Sequence, residues 1–206
     1  MSSTTVQRYV FRELREGDLE KFNATSSFSG TGGGARDIRF RQPAEFDPLF
    51  AVMFPGRRTI NRRAGGVSYT ATIYHANVAV HRDHTNAAAS DPRIQSDGSG
   101  NEFIVDDVEY WPSAHTGRYA AESRLGQISK LTLSPPTNEG NVFVLILQDG
   151  TPLSPRLAFL TEASVQGHRW EKSVNDFFAD LFLRLPGNGA VMGYRDVVNN
   201  RTWVNI

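Results

Sequence analysis

Cysteine is absent from the 206-residue sequence, which excludes disulfide bonds and thiolate metal sites. Long apolar runs are also missing, because the longest, Val142 to Leu147, has the length of a strand and not of a membrane span. Residues Met1 to Thr5 do not begin the charged and then apolar pattern of a secretion signal. We therefore expect a cytoplasmic protein that does not associate with a membrane.

An excess of charge of either sign is absent too, since 22 basic and 22 acidic residues cancel. Zero net charge counts against a protein that coats nucleic acid without regard to sequence. The charge is unevenly distributed, however, because residues 36–63 contain seven arginines and three acidic residues. A local basic patch of this kind can direct binding to a polyanion even when the total charge cancels.

Motifs for catalysis are scarce as well. The sequence has no nucleophile elbow, no cysteine nucleophile, and no acid–spacer–lysine pattern of a metal-dependent nuclease. His81 and His84 form the one tight histidine pair, and a metal-dependent β-barrel enzyme built on them is an alternative hypothesis. No third ligand is evident, so we expect no catalytic residues, no metal and no cofactor. The acidic residues from Asp106 to Glu109 are interpreted as a solvated turn.

Short apolar segments separated by Gly, Pro and Asn predict a mainly β fold with peripheral helices. Helical spacing of apolar residues predicts one short buried helix within Pro43 to Phe54 and a second within Glu171 to Arg184. Asn141 to Gln148 is apolar almost throughout, which predicts a central strand. The length is consistent with a single domain.

A glycine-rich segment runs from Gly30 into Arg41 and contains four glycines within five residues, a backbone that tolerates positive φ. Arg39 and Arg41 alternate with apolar residues, so in a strand the arginines share one face. The planar guanidinium matches a phosphate or the O6 and N7 edge of guanine. The segment therefore indicates binding to a polyanion, and an ordinary loop that enters an edge strand is the plainer alternative.

Two stretches resemble one family. The first is Ser27 to Arg41 followed by Leu49 to Pro55, and the second is Arg118 to Leu133, which leads into the apolar strand. Their order and spacing are similar to the DNA-recognition (effector, N-terminal) domain of EcoRII-type restriction endonucleases, which is related to the plant B3-type DNA-binding domain. The resemblance covers roughly residues 15–185.

The resemblance implies an open B3-like pseudobarrel of about seven strands, with short peripheral helices and a C-terminal helix. Its core would span about residues 15–185, and residues 186–206 would form an extension. In this family two arms hold the duplex and read bases in the major groove. The nuclease half of that family has no counterpart here, which agrees with the missing catalytic motifs.

The first arm corresponds to the glycine-rich segment. Its candidate DNA contacts are Thr31, Gly33, Gly34, Arg36, Arg39 and Arg41. The second arm corresponds to residues 118–130. Its candidate contacts are Arg118, Tyr119, Glu122, Ser123, Arg124 and Lys130. Arg124 and Glu122 match the family's Glu-X-Arg positions, where arginine would read guanine and the carboxylate would accept from cytosine N4.

A basic run outside both arms is predicted to contact phosphates, or else to be a solvated loop. It consists of Arg57, Arg58, Arg62 and Arg63. The sequence thus predicts a monomer that binds double-stranded DNA sequence-specifically. It would be the recognition domain of a restriction endonuclease or a stand-alone homologue, with a nuclease domain or subunit as a further partner. A protein- or ligand-binding β-barrel module, in which the arms are ordinary loops, is the remaining alternative.

Overall fold

The computed structural model describes residues 5–23, 37–64, 66–112, 122–126, 128–151, 155–185 and 191–206. Within these residues the chain forms eleven strands and four α-helices, so the predicted mainly β fold is confirmed. The predicted number of about seven strands is wrong. The strands are β1 (Arg8–Leu14), β2 (Ile38–Arg41), β3 (Gly56–Ala64), β4 (Val67–His81), β5 (Ile94–Ser96), β6 (Glu102–Trp111), β7 (Glu122–Gly126), β8 (Val142–Gln148), β9 (Arg156–Thr161), β10 (Met192–Asp196) and β11 (Arg201–Asn205). The helices are α1 (Glu16–Asn23), α2 (Pro43–Met53), α3 (Glu162–Gln166) and α4 (Lys172–Phe182).

The strands belong to one mixed sheet whose main path runs β11-β10-β1-β8-β9-β4-β6-β7-β2. β3 pairs with the first part of β4, and β5 pairs with the start of β6. Among the described strands β4 and β9 form the one parallel pair, which spans only two residues of each. The path places β2 and β11 at its two ends.

Helix α2 joins the two ends of the sheet. It begins at Pro43 and buries apolar residues at helical spacing, as the sequence predicts. The ring of Phe46 lies 4.9 Å from that of Phe40 in β2 and 5.4 Å from that of Trp203 in β11, measured between centroids. Because one side chain contacts both ends of the strand path, the sheet curves around a core that α2 seals.

The other face of the central strands is covered by α3 and α4. Phe178 of α4 packs edge-on against Phe11 of β1 and Phe143 of β8, with ring centroids 5.1 and 5.4 Å apart. Strand β8 is buried on both faces and lies between β1 and β9, which confirms the predicted central strand. The predicted second helix is also confirmed, since α4 lies within its expected limits.

The sheet extends beyond both limits that were expected for the core. Strand β1 precedes residue 15, yet it pairs along its whole length with β8 and over five residues with β10. Met192 and Tyr194 of β10 are buried in the same core as the inner face of β1. Residues 191–206 are therefore part of the sheet and not an appended extension.

Candidate nucleic-acid interface

Strand β2 carries the two described arginines of the first predicted arm. Ile38 and Phe40 are fully buried, whereas Arg39 and Arg41 are exposed. This is the alternation that the sequence predicts for a strand with one face on the core. The two arginines therefore face away from the core at the rim of the sheet.

Strand β7 brings part of the second predicted arm beside the first. It runs antiparallel to β2, with Arg124 opposite Arg39 and Glu122 opposite Arg41. Direct partners in an antiparallel pair project to the same face. Arg39, Arg41, Glu122 and Arg124 together form a surface that we call the ribbon face. The sequence predicts that Glu122 and Arg124 share a side of the chain, but not that they adjoin β2.

The ion pairs of the ribbon face are loose. Arg39 Nη1 lies 3.7 Å from Glu122 Oε2, and Arg124 Nη1 lies 3.7 Å from Asp37 Oδ2. The side chain of Arg39 is 45% exposed, whereas Arg124, Asp37 and Glu122 are only 18–23% exposed, so Arg39 is the most accessible group of these pairs. The three arginines and Glu122 give the ribbon face a net charge of +2, and the neighbouring Asp37 reduces it to +1.

A further arginine lies near the ribbon face. Arg12 of β1 donates a 3.0 Å hydrogen bond to Asp18 of α1. Burial lowers the pKa of Arg12, and the nearby positive charges of Arg39 and Arg41 lower it further. An arginine stays charged despite such shifts, but the carboxylate of Asp18 at 3.0 Å offsets most of the charge of Arg12. Sequence reasoning missed it because β1 is distant in the chain and nothing local marks the proximity.

The two predicted arms attach at opposite ends of the paired strands. Residues 24–36 lead into the Ile38 end of β2, and residues 113–121 lead into the Glu122 end of β7. The paired segment is four residues long, which corresponds to about 10 Å between its first and last Cα atoms. Six predicted contacts lie in these arms, outside the described residues: Thr31, Gly33, Gly34, Arg36, Arg118 and Tyr119.

Ser123 does not reach the ribbon face. Ser123 is a residue of β7 whose side chain is fully buried, and its Oγ lies 2.5 Å from the hydroxyl of Tyr110. Its predicted contact with DNA is inconsistent with this position, because alternation along β7 points Ser123 to the core. Lys130 is exposed in a short 3-10 helix (Ile128–Leu131) that follows β7, so it lies off the two paired strands.

Two arginines of the predicted phosphate run lie on β3 and have intramolecular partners. Arg57 donates to the carbonyl oxygens of Ala51 and Phe54 at 2.8 and 2.6 Å, and so closes the C-terminal end of α2. Arg58 donates to Glu109 at 2.6 Å. Its other donor reaches Asp107 at 2.5 Å. The side chains of Arg62 and Arg63 lie outside the described residues, and contact of the run with phosphates stays a prediction.

The acidic residues of 106–109 do not form the solvated turn that was expected; that interpretation is wrong. They lie within β6, where Glu109 is buried and Asp107 approaches His75 at 2.8 Å. Burial raises the pKa of Asp107, but hydrogen bonds from His75 and Arg58 outweigh it and hold the pKa below its ordinary value. The cause of the difference is β3, whose Arg58 supplies the neutralising charge from another strand.

The histidine pair lies at the far end of β4. His81 packs on Phe103 and His84 on Phe159, both edge-on. His84 lines a cleft of about 590 Å³ together with Glu139. Among the described residues no three His, Asp or Glu side chains are placed to hold a metal ion. The metal-enzyme hypothesis therefore gains no support from this part of the chain.

Comparisons of the chain with protein-family models, with curated proteins and with solved structures found no match. No helix in the described ranges is both long and apolar enough to cross a membrane. The ligand of the ribbon face is therefore inferred from the side chains that form it.

Proposed function

We propose that the protein binds double-stranded DNA sequence-specifically through the ribbon face and the two arms that lead into it. The ribbon face is the observation that carries this proposal. Arg39 and Arg124 lie side by side across β2 and β7, with Arg41 and Glu122 as the next pair. Guanidinium groups match the O6 and N7 acceptors of guanine, and a carboxylate accepts from cytosine N4.

The dimensions of the paired strands suit the major groove. A groove about 12 Å wide admits a two-stranded β-ribbon. β2 and β7 are the last two strands at one end of the sheet, and β7 is joined to β6 over three residues. The arms attach at opposite ends of a segment of about 10 Å, so both predicted arms join the chain next to the ribbon face. This agrees with the two-arm binding that the resemblance implies.

The weak net charge favours readout of bases over general attraction to DNA. The whole chain is neutral, and the ribbon face with Asp37 carries a net charge of only +1. Affinity that depends on phosphates alone would need more positive charge. Specific hydrogen bonds from few arginines are therefore the better source of affinity.

The fold is consistent with a B3-like pseudobarrel, because the open sheet curves until both of its ends contact Phe46 of α2. We propose that this cytoplasmic protein is the recognition domain of a restriction endonuclease, or a stand-alone homologue, and that it binds DNA as a monomer. A separate nuclease domain or subunit would supply catalysis.

Selection from a pool of randomised duplexes at low salt, followed by gel-shift measurement on the selected site, tests the proposal. We expect one sequence motif to be enriched and Arg39→Ala to weaken its binding by about 1–3 kcal/mol. Arg184→Ala is the matched control. Arg184 lies just beyond α4 and pairs with Asp180 of that helix, so this variant should bind like wild type. Failure of every duplex to be enriched at low salt would remove the proposal.

A further inference from the structure

Trp111 lies in one row with two arginines of the ribbon face. It ends β6 opposite Arg124 of β7, which is itself opposite Arg39 of β2. Side chains of direct antiparallel partners share a face, and Trp111 is partly exposed there. Neighbouring strands lie about 4.8 Å apart, and successive bases about 3.4 Å apart. The indole is therefore roughly one base step away from whatever base pair Arg124 contacts.

Contacts within the protein fix the orientation of the indole. Trp111 Nε1 donates a 3.1 Å hydrogen bond to Glu109 Oε2, and Glu109 accepts a 2.6 Å hydrogen bond from Arg58. The pyrrole edge also lies against Gly126, where an added Cβ would be 3.2 Å from Nε1 and 3.4 Å from Cδ1. The N–H is thus used within the protein, and the rest of the indole surface is carbon.

We propose that Trp111 contacts the C5 methyl group of a pyrimidine next to the G·C pair that Arg124 reads. This inference rests on the proposed function. Base edges in the major groove present donors, acceptors and one kind of apolar group, the thymine methyl. An indole whose N–H is already bonded matches only the apolar group. Since 5-methylcytosine carries the same methyl, the contact would also make the site sensitive to cytosine methylation.

Replacement of each thymine in the selected duplex by deoxyuridine, one at a time, tests this contact. The change removes one methyl group and keeps the base pairing, so the wild-type protein alone gives the first result. We expect affinity to fall about fourfold at one position beside a guanine, the effect of one buried methyl group. At that position 5-methylcytosine should also bind more tightly than cytosine.

Two variants assign the effect to Trp111. Trp111→Ala should lose the difference between thymine and uracil, whereas Trp170→Ala should keep it. Trp170 is a matched control because its indole bonds Ser164 beside the distant cleft. A uracil effect that persists in Trp111→Ala would overturn the inference.

Three further outcomes are decisive. Wild-type binding that is indifferent to uracil at every position removes this inference and leaves the proposed function intact. Tight binding of single strands that depends on Trp111 would mean that the indole stacks on unpaired bases, which also overturns it. If no duplex is enriched in the selection, the proposed function fails and this inference fails with it.

Discussion

Arg124 has a neighbour on each side of its row and a carboxylate at 3.7 Å, so its side chain has two possible roles. If Arg124 contacts guanine, Arg124→Ala should cost about 1–3 kcal/mol of binding free energy on the selected site and relax specificity at one base pair. As a mere partner of Asp37, the same change should alter neither affinity nor preference. Binding measured on the selected duplex and on its single-substituted versions separates the roles. Full discrimination retained by Arg124→Ala would show that β7 does not read bases.

His84 gives a prediction on pH at the same scale. Burial lowers its pKa, and the charge of His81 lowers it further, against the opposite effects of Asp83 and Glu139. The unfolded chain therefore binds this proton more readily than the folded protein. Stability is fully present above the unfolded value of about 6.5 and decreases as the pH falls from there through the folded pKa.

Urea denaturation at about pH 7.5 and 5.5 measures the effect of His84 on stability. We expect His84→Gln to lose less stability on acidification than wild type does, because the variant no longer gains a proton there. NMR titration of the imidazole should place its pKa below the ordinary value. Equal losses in the two proteins would contradict the assignment to His84.

The orientation of a side chain could be predicted where it follows from the alternation of residues along a strand. Arg39 and Arg41 face outward because they alternate with Ile38 and Phe40, and that pattern is local. The proximity of Arg12 to those arginines and the contact of Ser123 with Tyr110 depend on neighbouring elements. No local pattern in the sequence contains that information.

Helix α2 carries the prediction at the scale of elements. Phe46→Ala should cost about 3–5 kcal/mol, because its ring is fully buried between β2 and β11. Val52→Ala on the same helix is the control; Val52 is 53% exposed and its change should stay within about 0.5 kcal/mol. Chemical denaturation of both variants gives the comparison. Similar losses for the two would mean that α2 does not join the ends of the sheet.

Elements with a strong apolar period were predictable, whereas polar strands were not. Both long helices and β8 follow from their side-chain spacing, but β3 and β5 were missed. β3 reads Gly-Arg-Arg-Thr-Ile-Asn-Arg-Arg-Ala and has no buried face of its own in the described side chains. It is a strand because its backbone pairs with β4, and backbone pairing leaves little trace in composition.

The four arginines of β3 give a prediction for the whole molecule. Changing Arg62 and Arg63 together to alanine should weaken all duplexes alike and reduce the salt dependence by about two units in slope if both contact phosphates. Changing Arg57 and Arg58 should in addition lower folding stability, because Arg57 closes α2 and Arg58 neutralises Glu109. Titrations at several salt concentrations provide the slope. A changed sequence preference of the Arg62 and Arg63 variant would show that the run contacts bases. The Arg57 and Arg58 variant does not test this point, because Arg58 bonds the Glu109 that orients Trp111.

The fold class could be predicted for the molecule as a whole, but the order of its strands could not. Many short segments with turn residues between them indicate a β protein whatever their pairing. The order depends on contacts such as Tyr9 with Leu147 and with Arg195, which join segments far apart in the chain. Strands β1, β10 and β11 lie outside the expected core limits of about 15–185 for the same reason.

Strand β1 also has a consequence for how the protein is made. On a ribosome β1 emerges before both of its partners, since β8 follows more than a hundred residues later and β10 later still. Until residue 196 has been synthesised, one edge of β1 lacks part of its pairing strand. Tyr9 and Phe11 lack their ring partners until Phe177 and Phe178 of α4 have been made. Pairing over such separations is slow and leaves apolar strand edges exposed to other chains. The nascent polypeptide therefore exposes one unpaired edge of β1 until the last strands of the sheet have been synthesised.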